Sequence, residues 1–376
     1  MKHLLMLTLA LAVIPGLWAD GPEKKLIEYG WDVPTPAFIR ANLPAMEQQP
    51  FDGVIFRLEG GGNVLEPEAW PREKFAADYD NLRQIEWTRM TDNFLIMWAA
   101  STQDWFNDDH WRAVENNTAL VARAARIGRC AGICFDPEPY GQTPWDYAQT
   151  ARLTAVSFEE YQRQVRLRGA QFMRAVEREL PGPVMLFLYE FALFAELQKP
   201  MDPAERTKAL AAHPYGLYPA FLNGMLEGAS AAATFVDGNE NSYYYESSAP
   251  YFEAYHRMTQ GALFLVDPAL HGKYRAQGRA GQAMYVDQYF GLRADPVLGS
   301  KMTPEERPLW LEHNAYHALL SSDRYAWCYS EKMNWWTGVD VPPGAVDALR
   351  RAREKVNTGQ PLGVDLAPVI AAAKQR

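Results

Sequence analysis

The sequence predicts a (β/α)8 barrel with extended loops over one face, and three observations lead there. Eight short apolar runs are spaced along the chain, at residues 26–32, 51–59, 93–98, 131–138, 184–190, 231–237, 282–287 and 324–331. A stretch of helical character follows each run. The runs are continuously apolar rather than alternating, which suits parallel strands covered on both faces. Eight strand–helix units in series are what such a barrel requires, and groups at its strand ends converge on one site. Most of the runs end in a carboxylate or a large aromatic. A doubly wound open sheet is the alternative arrangement.

Taken in order, the first strand (26–32) runs into Pro34 and Pro36 and then a helix to about residue 48. The second, FDGVIFRLEGGG, ends at Arg57-Leu58-Glu59 against three glycines. Such glycines favour a tight reversal or a loop lying close to a ligand. A helix over about 72–90 follows. The third strand ends at Trp98, and Val114, Leu120, Val121 and Ala124 mark a helix over 108–127. The fourth reads AGICFDPEPYG, and its helix opens on a capping box of Ser157 and Glu160. Pro181-Gly182 stops that helix.

The fifth strand, PVMLFLYEF, ends at Tyr189-Glu190, ahead of a helix near 218–227. The sixth, AAATFVDGNENSYYY, precedes a helix over 251–265. The seventh, QAMYVDQYFG, ends at Asp287. Thr303-Pro304-Glu305-Glu306 then starts a helix, with Pro in the first turn and acids near the positive end of the dipole. The eighth, RYAWCYSEKMNWW, leads to a last helix over about 343–356.

Ahead of the barrel, Lys2 and His3 precede an apolar run over 4–17, and small Ala19 follows. That is the three-part pattern of a cleavable signal peptide at residues 1–19. The expected mature chain, 20–376, is a single catalytic barrel, secreted or periplasmic. The apolar run is short for a membrane span, and no later segment is apolar enough for one. The formal net charge is −9 with no basic cluster, which argues against nucleic acid as a partner. Cys130, Cys134 and Cys328 form neither a disulfide framework nor a metal spacing and read as buried thiols. His313 and His317 lack the Glu of a zinc helix and read as packing or surface residues. No cofactor or metal is expected, although an oxygen-rich loop leaves calcium open. Oligomeric state leaves no mark on the sequence.

Chemistry is concentrated at the strand ends. Cys134, Asp136 and Glu138 share one face of the fourth strand. Two carboxylates there, beside Tyr140, are costly to bury and do nothing for packing. Asp237 and Glu240 lie in a loop with Asn239, Asn241 and three tyrosines, Tyr243 among them. Asp287 ends the seventh strand near Tyr285. Glu331 ends the eighth on the face of Trp327 and Tyr329, and Trp335 and Trp336 follow. That aromatic group reads as a wall on which sugar rings stack. Asp32, Arg57, Trp98, Tyr189 and Glu190 complete the candidate binding set. Paired acids suit glycosidic cleavage, which needs one carboxylic acid for the leaving oxygen and a carboxylate across the sugar.

The segment GICFDPEPYG resembles the fourth-strand motif of barrel glycoside hydrolases, and the nearest form is the chitinase-type D-x-x-D-x-D-x-E. The resemblance implies that Glu138 is the proton donor and that Asp136 orients an acetamido group. Cys134 stands where that family has a further Asp. Two other pairings stay open. Asp136 as nucleophile with Asp237 as acid would resemble α-galactosidase-type barrels. Glu138 as acid with a partner on the sixth, seventh or eighth strand would resemble the larger two-glutamate clan. Glu138 ranks first as acid. Asp237 or Glu240 ranks first as its partner, then Asp287, then Glu331. The expected substrate is an oligo- or polysaccharide. A barrel that binds glycans without cleaving them, and a metal-dependent hydrolase or lyase, are the rival readings.

Overall fold

Each of the eight apolar runs carries a parallel strand. The structure is a computed structural model, and it describes residues 23–150 and 155–376. The segment expected to be a signal peptide lies outside them. The strands are β1 (Lys25–Gly30), β2 (Gly53–Phe56), β3 (Phe94–Trp98), β4 (Gly132–Asp136), β5 (Val184–Phe187), β6 (Thr234–Asp237), β7 (Gly278–Ala280), β8 (Gln282–Tyr285) and β9 (Tyr325–Ser330). Their order around the sheet is β7-β6-β5-β4-β3-β2-β1-β9-β8.

The predicted seventh strand forms as β8, which gives way to a helical turn at Val286, and a further short strand, β7, precedes it across Gly281. β7 pairs with β6 and β8 pairs with β9, so the ring closes across one bent strand. Gly281 makes the bend possible. Its N–H donates to the Asp237 carbonyl at 2.7 Å, and a Cβ there would lie 3.0 Å from that oxygen. Beyond the bend β8 has drifted from β6, and side chains bridge the seam. Asn239 donates to Gln282 at 2.7 Å. The Ser242 hydroxyl both receives the Ala283 N–H and donates to the Ala283 carbonyl.

The helices are α1 (Pro36–Met46), α2 (Ala76–Gln84), α3 (Asp108–Ile127), α4 (Phe158–Glu179), α5 (Pro203–Ala211), α6 (Tyr218–Gly228), α7 (Ala249–Thr259), α8 (His271–Gln277), α9 (Val286–Phe290), α10 (Glu306–Leu320), α11 (Ala345–Asn357) and α12 (Ala367–Gln375). α3 keeps its predicted bounds, and the Ser157–Glu160 capping box forms at α4. α2 stops short of the expected residue 90. The Glu47 carboxylate takes the backbone N–H groups of Thr88, Arg89 and Met90, and these bonds compete with helix continuation. α7 ends at Thr259, and a 3-10 turn at Gly261–Phe264 covers the rest of that prediction. The three cysteines are free and buried.

Register sets which side chains face the barrel interior. Phe135 and Phe187 are paired in register and pack together outside the barrel, Phe135 against Phe172 of α4. Cys134 and Asp136, one residue off, face inward. Phe187 is also in register with Asp237, so Asp237 faces outward. On β1 and β9 the inward set is Ile27, Tyr29, Trp327 and Tyr329, since Tyr29 contacts both Trp327 and Tyr329. Glu28 and Cys328 therefore lie between barrel and helices, fully buried.

Among the described residues no helix is long and apolar enough to cross a membrane, and no group of three or more His, Cys, Asp or Glu could hold a metal ion.

Candidate active site

The end of β4 is fixed by its own carboxylate. Asp136 is fully buried; one oxygen takes the Glu138 N–H at 2.8 Å and the other the Tyr140 hydroxyl at 2.6 Å. Tyr140 adopts a left-handed backbone (φ 44°), with Gly141 next at φ 81°, so the chain reverses at once. Burial pushes the Asp136 carboxyl up to about 7, against the pull of these donors, and the nearby Glu138 charge adds to it. Glu138 stands half-buried at the lip of the barrel.

Glu240 arrives from the other side of β5. Asp237 organises that loop. Its oxygens accept from the backbone N–H groups of Glu190 (3.1 Å), Ala192 (2.7 Å) and Asn239 (3.1 Å). Asn239 takes the left-handed conformation (φ 43°), which Asn tolerates better than most residues. A 3-10 turn, Glu240–Tyr244, begins there, anchored by the Glu240 N–H on the Leu188 carbonyl at 3.1 Å. The turn leaves Glu240 close enough for the Glu138 and Asp136 charges to act on it. Burial first, then those two charges, pushes its carboxyl up to about 8.

Tyrosines form the floor and walls. Tyr243 stacks on Tyr329 with ring centres 5.5 Å apart and lies 5.1 Å from Tyr285. Tyr29 sits 5.6 Å from Tyr329, lies beside Trp98 and feels the Asp136 charge. Trp98 is in register with Asp136, and Gly62 lies flat on its indole, where a Cβ would come within 2.3 Å of the ring. The glycines after β2 thus serve a close approach to Trp98. Tyr189 donates to the Tyr215 hydroxyl at 2.9 Å, and both sense Asp136 and Glu138. Tyr29 and Tyr215 escaped the sequence reading. Tyr29 had a signal in its strand parity, while Tyr215 lies in a stretch without regular pattern.

The remaining candidates lie elsewhere. Asp237 faces away from the barrel interior and is saturated by backbone donors. Asp287 accepts the N–H groups of Glu331 and Lys332, each at 2.9 Å, and holds the loop after β9. Asp32 does the same for Trp335 at 2.8 Å. Glu190 is buried beside Asp237, and its Oε2 has no partner among the described residues. Arg57 is half-buried at the end of β2, close enough for its charge to act on Asp78. Glu331 is at the rim, accepting from Tyr329 at 3.4 Å with Lys332 at 3.9 Å.

The expected sugar wall is corrected at three positions. Trp327 fills the barrel interior and donates to the Gly238 carbonyl at 2.9 Å. Trp335 and Trp336 pack edge-on around Phe51 and are buried, so neither offers a ring face to a ligand. Tyr329 alone of that group opens on the site.

No protein-family model matches the chain, and no curated protein does. Solved structures similar to it include a GH18 chitinase from Pseudoalteromonas aurantia, with 11% identity and TM-score 0.41 over 88% of this chain and 100% of that one. A second is GH5_18 from Streptomyces cattleya in complex with GlcNAc, with 13% identity and TM-score 0.47 over 91% and 82%. A third is a Bacteroides ovatus GH5 xyloglucanase in complex with a heptasaccharide, with 9% identity and TM-score 0.43 over 86% and 69%. The likeness is one of general shape and brings no residue-level correspondence.

Proposed function

We propose that this chain is a glycoside hydrolase acting on an oligo- or polysaccharide, with Glu138 and Glu240 as its working pair. One observation carries the reading: the two glutamates converge from β4 and from the turn after β6 over a tyrosine floor, and Glu240 keeps its proton near neutral pH. A pair of acids whose environments separate their protonation states divides the labour of acid and base. Glu240, protonated, gives its proton to the leaving glycosidic oxygen. Glu138, as the carboxylate, acts at the anomeric carbon, directly or through water. Asp136 touches neither event; it fixes the Glu138 backbone and adds the negative charge that holds the proton on Glu240. This exchanges the role of acid that the strand-4 motif suggests for Glu138.

The test starts from a glycan panel that identifies a cleaved substrate. Glu240→Gln should then lose turnover on the glycan and recover on an aryl glycoside whose leaving group needs no proton. Glu138→Gly should lose turnover on both and respond to azide. If Glu138→Gln is the variant spared by good leaving groups, the roles revert to the motif's order. If neither variant loses turnover, the reading falls. Export belongs to the same proposal and rests on residues 1–19 alone. Intact-mass measurement of protein recovered outside the producing cytoplasm should show a chain starting near Asp20; a retained Met1 would refute it.

A further inference from the structure

Trp31 follows β1 and is 66% exposed, the highest value among the exposed large hydrophobic side chains of the described residues. The ring is nevertheless pinned. Lys332 Nζ lies 4.8 Å over its centre, and the Tyr329 side chain is its neighbour. A cation over an indole is attracted by the ring quadrupole, so one face is occupied and the other is left bare in a fixed orientation. An isolated exposed aromatic needs no explanation; one immobilised beside a candidate site does.

Position gives the explanation. β1 stands three strands from β4 in one direction around the ring. In the other direction the turn after β6 is as far away, past β9 and the bent seventh strand. Trp31 thus faces Glu138 and Glu240 across the mouth. Tyr329 links the two sides: it neighbours Trp31, stacks on Tyr243 and feels the Glu138 charge. Past Lys332 opens a cavity of about 540 Å³, lined also by Leu292, Pro304, Arg307 and Pro342. That volume falls within the ~300–1,000 Å³ of ordinary small-molecule sites.

We propose that Trp31 is the platform of a distal subsite, and that the site takes a glycan chain of several rings that crosses from Glu138 and Glu240 over Trp31 toward the cavity beside Lys332. The stacked unit presents its apolar C–H face to the indole and its hydroxyls to Lys332. The cleavage end of this description rests on the glycoside hydrolase reading; the stacking does not.

The experiment uses the whole chain with two readouts. Affinity electrophoresis through xylan, xyloglucan, glycol chitin and galactomannan measures binding, and reducing-sugar release measures cleavage of the same polymers and their disaccharides. Trp31→Ala should weaken retention on at least one polymer about tenfold, in line with the loss of one aromatic stacking platform. Cleavage of the matching disaccharide should stay within twofold, and Trp31→Phe should restore most of the retention. Unchanged retention in Trp31→Ala overturns the proposal, as does an equal loss on polymer and disaccharide. Retention lost in Trp31→Ala without any cleavage by the wild type leaves the subsite standing and removes the hydrolase reading. Cleavage indifferent to Trp31 does the reverse. Absence of both retention and cleavage removes both.

Discussion

Two sides of the barrel mouth carry carboxylates in similar numbers and use them differently. On the β4–β6 side, Glu138 and Glu240 meet over a floor of largely buried tyrosines, and among the described residues Glu240 has no donor that offsets its burial. On the β8–β9–β1 side, Asp287 spends both oxygens, and Asp32 one, on backbone N–H groups of the loop after β9. Asp237 behaves like this second kind although it lies three residues from Glu240. An acid at a barrel strand end is therefore not a functional group by position. What separates the two kinds is whether the backbone has already taken its lone pairs.

The largest expected effects test that separation directly. Asp237→Ala leaves three backbone donors without their acceptor in a buried place. At roughly 1–3 kcal/mol for each buried donor left unsatisfied, the variant should lose at least about 3 kcal/mol of stability in denaturant unfolding. Glu240→Gln should leave stability within about 0.5 kcal/mol of wild type and cost turnover about 10²–10⁴-fold, the usual worth of general acid catalysis. A tolerated Asp237→Ala, or a Glu240→Gln that unfolds, breaks the comparison.

The strands and the Asp136–Glu138 pair were legible because they depend on local pattern: apolar runs of strand length and a two-residue alternation. The distinction between Asp237 and Glu240 was not. It depends on the Phe187–Asp237 register and on a left-handed Asn239, both fixed by pairing with distant chain. The three tryptophans of the eighth strand and its loop misled for a related reason. Tryptophan reads equally well as core and as platform, and Phe51, from the other end of the chain, decides for core at Trp335 and Trp336. Trp31 and Tyr140, by contrast, stay exposed just past the ends of β1 and β4.

Titration sharpens the comparison next. Glu240 is raised to about 8, so its proton is present below that value and lost above it. An alkaline limb near pH 8 should therefore appear in kcat/KM, which reports groups of the free enzyme. Asp136→Asn removes one of the charges that raise Glu240 and should move the limb to lower pH. A limb that stays in place would mean that another group titrates there.

A smaller effect lies behind the barrel. Glu28 is fully buried, both its oxygens lack hydrogen-bond donors among the described residues, and burial followed by the Asp32 charge raises its carboxyl well above the usual range. The groups facing it are Asp32 beyond β1, and Cys328 on β9, which also feels Asp287. A carboxyl raised by folding binds more protons folded than unfolded, so its contribution to stability falls as pH rises above the unfolded value. Glu28→Gln removes that loss and keeps a donor toward Asp32. Its melting temperature should match wild type near pH 4 and exceed it by a few degrees at pH 8. A variant less stable than wild type at pH 8 would show that Glu28 has a charged partner in the fold.

The smallest expected effect is the one that guards the comparison best. Glu331 is the acid of the β8–β9–β1 side next to Tyr329, which donates to it at 3.4 Å, and Lys332 is 3.9 Å away. Its charge is shared with a partly exposed lysine, and such pairs contribute about 0–1 kcal/mol. Glu331→Gln keeps an acceptor for Tyr329 and releases Lys332, so turnover should change by less than about fivefold, as a loss of at most that much free energy allows. Stability should stay within about 0.5 kcal/mol, as for most surface substitutions. A loss of a hundredfold or more would place the reacting sugar beside β9. The acid pair would then have to be drawn across the mouth, between Glu331 and Glu138, and Trp31 would stand at the cleavage point and not beyond it.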